Sequence, residues 1–181
     1  MKKIRHRYLF LFALFGLMLF SRSAVAEEKT VERTQRKGFL IGFDVGGGGL
    51  HLNGRNAGAI LSAFKIGGGL NEKILLMFEG AGADDVGRDS SGLVSDLFSA
   101  QFFLSPHLYV RPGIGMGLEY EDLPSGTSET HVGFSSALAA GYEWRLTKKF
   151  ALSPELKLGY SRINGRNHES YGAVADLRWY F

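Results

Sequence analysis

Four of the five histidines, one His-x-Ser pair and two glycine runs are the parts of this chain whose residue types suit chemistry, and each needs a particular setting. His168 and Ser170, separated by Glu169, would serve nucleophilic catalysis if the imidazole reached the hydroxyl and a carboxylate oriented the imidazole. Residues two apart share a face on a strand, yet the polar run NGRNHES (164–170) reads as a loop, and the next acid, Asp176, falls deeper in the following segment. His168 and Ser170 are therefore an alternative catalytic pair in a chain for which no catalysis is expected. His51, His107, His131 and His168 show no ligand spacing such as HExxH, so no metal site is expected. Gly46 to Gly49 and Gly113-x-Gly115-x-Gly117 have the composition of phosphate loops, but such loops present phosphate to the N-terminus of a helix. Strand pattern and an acidic loop follow instead, so no cofactor is expected, and the glycines read as strand curvature and internal space. The chain has no cysteine, which removes disulfides, thiolate metal sites and lipid anchors on Cys.

The elements that must position these residues begin after an export signal. Residues 1–7 are basic, 8–20 are wholly apolar, and Ala24-Val25-Ala26 supplies a small-x-small cleavage site. A signal peptide over 1–26 is expected, its apolar run too short for the ~20 residues of a membrane-spanning helix. The sequence pI is about 9.2 and the formal charge +3, but removing 1–26 removes five of the 21 Lys and Arg and no acid, leaving −2. A nucleic-acid partner suggested by the basic pI is thereby withdrawn. Residues 27–37 (EEKTVERTQRK) read as a flexible tail.

From residue 38 onward no stretch holds the helical period, and alternation of period two takes its place. Val132, Phe134, Leu138, Tyr142 and Trp144 fall on one face, while His131, Gly133, Ala137, Gly141, Glu143 and Arg145 fall on the other. The same test predicts eight strands at about 38–50, 58–69, 73–83, 93–104, 107–120, 131–146, 150–162 and 171–181. Each reaches the ~9–11 residues that cross a bilayer at a tilt. Tight turns near 70–72, 105–106 and 147–149 alternate with longer polar loops near 53–58, 84–92, 121–130 and 164–170, as in a membrane barrel. The bulky apolar face reads as the outside. Its partner carries Asp44, Lys65, Glu79, Arg111, Glu119, Glu143, Arg145, Glu155, Lys157, Asp176 and Arg178. An eight-stranded barrel is just wide enough to be filled by side chains, so these charges are expected to pair inside a plugged polar interior. Phe39, Trp144, Phe150, Trp179 and Phe181 at one end, with Tyr120, Phe134, Tyr160 and Tyr171 at the other, have the placing of two membrane girdles.

The closing segment YGAVADLRWYF, alternating and ending in Phe181, resembles the C-terminal strand of bacterial outer-membrane barrels. With the strand count and length, residues 38–181 resemble the small OmpA/OmpX-type outer-membrane β-barrel family. The resemblance implies an all-β, eight-stranded antiparallel up-and-down transmembrane barrel in the outer membrane, monomeric, with both termini periplasmic. It implies partners among outer-membrane lipids and lipopolysaccharide, and a barrel-insertion machinery that reads Trp179 and Phe181. Some barrels of this size modify lipid A, and His168-x-Ser170 is similar to part of one deacylase site; a lipid A-modifying enzyme and a narrow solute or ion channel are the alternatives to a structural or surface-interaction role through external loops. The motif NGRN occurs at 53–56 and again at 164–167. In a closed barrel both copies flank the seam between first and last strands, so Arg55 and Arg166 are expected to meet and to contact lipopolysaccharide phosphate.

Overall fold

Asn164 and Gly165, at φ 49° and 76°, turn the chain back on itself within two residues, the left-handed pair that a tight hairpin demands. Ile163 and Arg166 already face each other across the ladder. Three turns at the opposite end share another device. Leu70, Leu104 and Leu146 each donate a backbone N–H to the carbonyl four residues on. In each, the next side chain, Asn71, Ser105 or Thr147, accepts from the backbone N–H that opens the following strand, at 3.0 Å every time.

The computed structural model describes residues 36–52, 54–87, 91–122 and 128–181. The expected signal peptide, 1–26, and the tail up to residue 35 lie outside the described residues. The strands are β1 (Gly38–Leu52), β2 (Arg55–Gly69), β3 (Ile74–Asp85), β4 (Ser91–Phe103), β5 (Leu108–Asp122), β6 (Ser128–Tyr142), β7 (Trp144–Arg145), β8 (Phe150–Ile163) and β9 (Arg166–Tyr180). All pairings are antiparallel between neighbours, β9 pairs with β1, and β6 pairs with β8, closing the sheet on itself. β7 continues β6 against β8 in the same register, so nine segments form the eight staves of an up-and-down barrel.

Proline explains where the ladder is interrupted. Pro154 has no N–H to give, and the pairing with the β6 stave lapses there over Tyr142 and Glu143, the N–H of Glu143 bonding His107 O at 2.8 Å instead. Between Ser99↔Gly113 and Phe102↔Val110, at Pro112, the β4–β5 pairing likewise lapses. Of the glycines, Gly115 has a backbone reason to be one: a Cβ there would stand 1.9 Å from the carbonyl oxygen of Asp96, so the strands approach too closely for any side chain.

Three expectations need correction. Both NGRN motifs run into strand, because β2 starts at Arg55 and β9 at Arg166; His168, Glu169 and Ser170 lie on a strand, not in a loop. The tail reading fails at its described end, because Arg36 is 3% exposed. The interior is not purely polar either. Leu50, Leu52, Leu61, Leu93, Ile163 and Val174 cluster inside toward the hairpin end, and Leu40, Leu75, Met77, Phe103, Tyr109 and Tyr180 toward the turn end. These residues escape an alternation reading because their strands are apolar on both faces.

Burial is inverted relative to a water-soluble protein. Phe78, Ile114, Met116 and Leu156 are 65, 62, 61 and 68% exposed on the outside, whereas Lys65, Asp176 and Arg178 are 0% exposed within. Rings tie the outer face together near the chain ends, with Phe150 and Trp179 at 4.8 Å, Phe39 and Phe181 at 5.7 Å and Phe43 and Trp179 at 6.2 Å.

Candidate functional site

Inward positions of six staves converge on one network of charges. Lys65 on β2 brings its Nζ within 2.6 Å of Asp44, 3.2 Å of Asp176 and 3.5 Å of Glu155. Asp44, Glu155 and Asp176 lie close enough together to hold a metal ion, but the Lys65 ammonium occupies their centre. Arg111 on β5 grips Glu155 with both terminal nitrogens at 2.7 Å and reaches Glu79 with Nε at 3.2 Å, the planar fork that makes arginine the stronger partner for carboxylates. Lys157 on β8 bridges Glu79 at 2.6 Å and Asp44 at 2.9 Å. Tyr109 donates its hydroxyl to Glu155, and Arg178 lies against Asp176 on its own strand.

Toward the turn end a second knot forms on Glu143, the residue at the break in the β6 stave. Arg145, Arg36 and Arg178 reach its carboxylate at 3.0, 3.1 and 3.4 Å, and Tyr180 donates to it at 2.6 Å. Arg36 also donates to the carbonyls of Glu72 and Pro106 and stacks 3.5 Å over the Phe103 ring. Arg145 stacks 3.7 Å over Tyr180. Sequence reasoning missed Arg36, although it shares the even parity of Leu40, Gly42 and Asp44; lying before the strand, it offers no alternation to read.

A histidine–carboxylate contact stands apart, toward the hairpin end. His168 Nε2 is 3.4 Å from Glu119 Oε2. Hydroxyls of Ser95, Ser135 and Ser161 run across the lumen at 2.8 Å spacings, beside a cavity of about 40 Å³ that Leu61, Glu79, Leu97 and Lys157 also line. The inward glycines 113 and 117 look onto Ser99, Ser135 and Ser161; hydroxyls, not the long charged chains, take up the room they leave. Ser170 lies on the lumen side of β9, two residues from His168. Arg55 and Arg166 open β2 and β9 at the tips of the two NG hairpins, both exposed. Trp179 and Phe181 are on the outer face at the chain end, where the Phe181 N–H bonds Phe39 O at 2.9 Å.

No protein-family model matches the chain, and no curated protein matches it by sequence. Solved structures do. Neisserial surface protein A aligns with a TM-score of 0.71 at 17% identity over 80% of this chain and 97% of its own. The attachment invasion locus protein Ail of Yersinia pestis aligns with a TM-score of 0.57 at 14% identity, covering 78% of this chain and 99% of Ail. The N-terminal β-barrel domain of Pseudomonas aeruginosa OprF gives 0.53 at 17% identity, over 80% and 99%. The fold is thus the eight-stranded transmembrane barrel of the OmpA/OmpX type.

Proposed function

We propose that this chain is an integral protein of a bacterial outer membrane, with both termini periplasmic, that acts structurally or through its external rim and neither catalyses a reaction nor conducts solutes. The observation that carries this reading is the pairing of an outer belt of exposed Phe, Ile, Leu and Met with a lumen filled from end to end. Only lipid makes such a belt favourable, and closure satisfies the backbone without water. A lumen crossed by the Arg111, Lys65 and Lys157 ion pairs, with Arg36 and two apolar clusters toward its ends, supports a barrel that does not conduct solutes. The 40 Å³ cavity has room for a few water molecules, at ~10–15 Å³ each.

The lipid A reading loses support from the direction of its residues. His168 is 0% exposed and, like Ser170, turned inward, whereas an acyl chain of lipid A lies outside the barrel. Contact with lipopolysaccharide through Arg55 and Arg166 remains part of the proposal. So do a monomeric state and recognition of Trp179 and Phe181 by the insertion machinery. Expressed with its own signal in a Gram-negative host, the protein is expected in the outer-membrane fraction, with different gel mobility before and after boiling. A soluble periplasmic protein would overturn the reading. Lipid A of unchanged mass on expression, and a flat current across planar bilayers, are the results expected for the absence of catalysis and conduction. Equal lipopolysaccharide binding by the Arg55→Ala/Arg166→Ala protein would remove the rim contact.

A further inference from the structure

Between β6 and β9 the outer wall is hollow. A groove of about 390 Å³ is lined there by Ser136, Leu138, Leu158, Tyr160, Glu169 and Tyr171, within the ~300–1,000 Å³ of small-molecule sites. Two tyrosines account for it. The Tyr160 hydroxyl donates to Asn167 Oδ1 at 3.0 Å, and the Tyr171 ring lies over Gly49 of β1, where a Cβ would stand 2.5 Å from its Cζ. Both rings are thereby drawn toward the β9–β1 seam. Ser136, standing between Phe134 and Leu138 on β6, is too short to fill the space they leave.

The groove changes chemistry along its length. Nearest the hairpin end Arg162 stands opposite Phe134; the next rung holds Ser136, Tyr160 and Glu169, and the one after it Leu138, Leu158 and Tyr171. Arg162 and Glu169 are exposed, and no side-chain hydrogen bond or ion pair joins either to another described residue. The imidazole beside Glu169 on β1, His51, is held to Asn56 at 2.7 Å instead. A cation, then a carboxylate, then hydrocarbon, set on a wall that faces lipid, match an amphiphile lying along the strands. Guanidinium suits phosphate. An ionised carboxylate only accepts hydrogen bonds, so the layer of lipid between phosphate and hydrocarbon must donate them. The ester oxygens that a glycerophospholipid places there are acceptors, whereas an amide-linked, hydroxylated acyl chain on a phosphorylated aminosugar presents an N–H and an O–H.

We propose that this groove holds one acyl chain of lipid A, with a phosphate on Arg162 and the amide N–H or hydroxyl of the chain donating to Glu169. The site rests on the outer-membrane reading above, which puts the hairpin end in the outer leaflet, and it adds to the Arg55 and Arg166 contact a means of choosing the lipid. Alternation along β6 shows Ser136 as one more outward position; the hollow over it depends on rings from two other strands.

For the test, the mature protein is refolded in detergent micelles, offered lipid A or phosphatidylglycerol at equal concentration, and weighed with its bound lipid by native mass spectrometry. One lipid A per chain is expected, held at least tenfold more tightly than phosphatidylglycerol. Ser136→Phe, which fills the groove, is expected to lose that lipid. Glu169→Ala is expected to lose the preference by admitting phosphatidylglycerol, a change that a merely structural role of Glu169 does not produce. Arg162→Ala is expected to bind lipid A more weakly than the unmutated protein does, and to bind dephosphorylated lipid A equally well. The boiling-dependent gel shift reports whether each variant folds. A shifted barrel that takes both lipids alike, or whose preference survives Ser136→Phe or Glu169→Ala, overturns this proposal and leaves the outer-membrane reading standing; a soluble protein without the shift overturns both.

Discussion

Arg111 is the residue on which the lumen network turns, since it alone grips Glu155 with both terminal nitrogens while reaching Glu79. Removing one partner from a buried ion pair strands the other, typically at about 3–5 kcal/mol. Arg111→Met is expected to lose about that much, read as an earlier midpoint of urea unfolding in micelles by the fluorescence of Trp144 and Trp179. Arg111→Lys is expected to recover part of the loss, because a point charge still sits among Glu79, Glu155 and Asp44 but cannot make the fork. Residue types were enough to collect these charges on one face. They could not say that Lys65 would be the centre and Arg145 the rim, which depends on stave order around the ring.

At the scale of the strand, alternation is legible wherever the two faces differ in polarity and fails wherever they agree. β6 reads clearly, because Phe134 and Leu138 alternate with Gly133 and Ala137. The first five residues of β9, Arg166 to Ser170, are polar on both faces, so their strand character is hidden and His168 passes for a loop residue. β4 fails in the opposite sense. Leu93 and Leu97 point in while Val94, Phe98 and Phe102 point out, and within this apolar stretch Asp96 faces outward, exposed at mid-strand between Gly80 and Met116. A carboxyl on the lipid side costs less than the ~2–4 kcal/mol of a basic residue at the bilayer midplane. Asp96→Leu is expected to stabilise the barrel in lipid vesicles by roughly 1–2 kcal/mol, measured by reversible denaturant unfolding; no gain, or a loss, would mean that the carboxyl does not meet lipid.

For the whole molecule, inside and outside are set by one rule applied twice: the bilayer takes the bulky apolar face, and the lumen takes whatever pairs with itself. Arg36 adds a sixth base to the five bases and six acids of the alternating faces, so these inward acids and bases are equal in number among the described residues. Ring closure carries a further consequence, for kinetics. Asp44 and Asp176 are direct partners across β1 and β9, the one place where the beginning and end of the barrel touch, and like charges set opposite each other repel. Their common neutraliser, Lys65, comes from β2, with Arg111 from β5 in support. The seam is expected to seal only when Lys65, carried beside β1 by β2, and Arg111 of β5 stand against both aspartates. Lys65→Met is expected to linger in refolding as a curled but unsealed sheet, seen as a delayed appearance of the compact gel form after strand signal has already developed by circular dichroism. The two aspartates act, in effect, as a clasp that stays open until the lysine and the arginine are set in it.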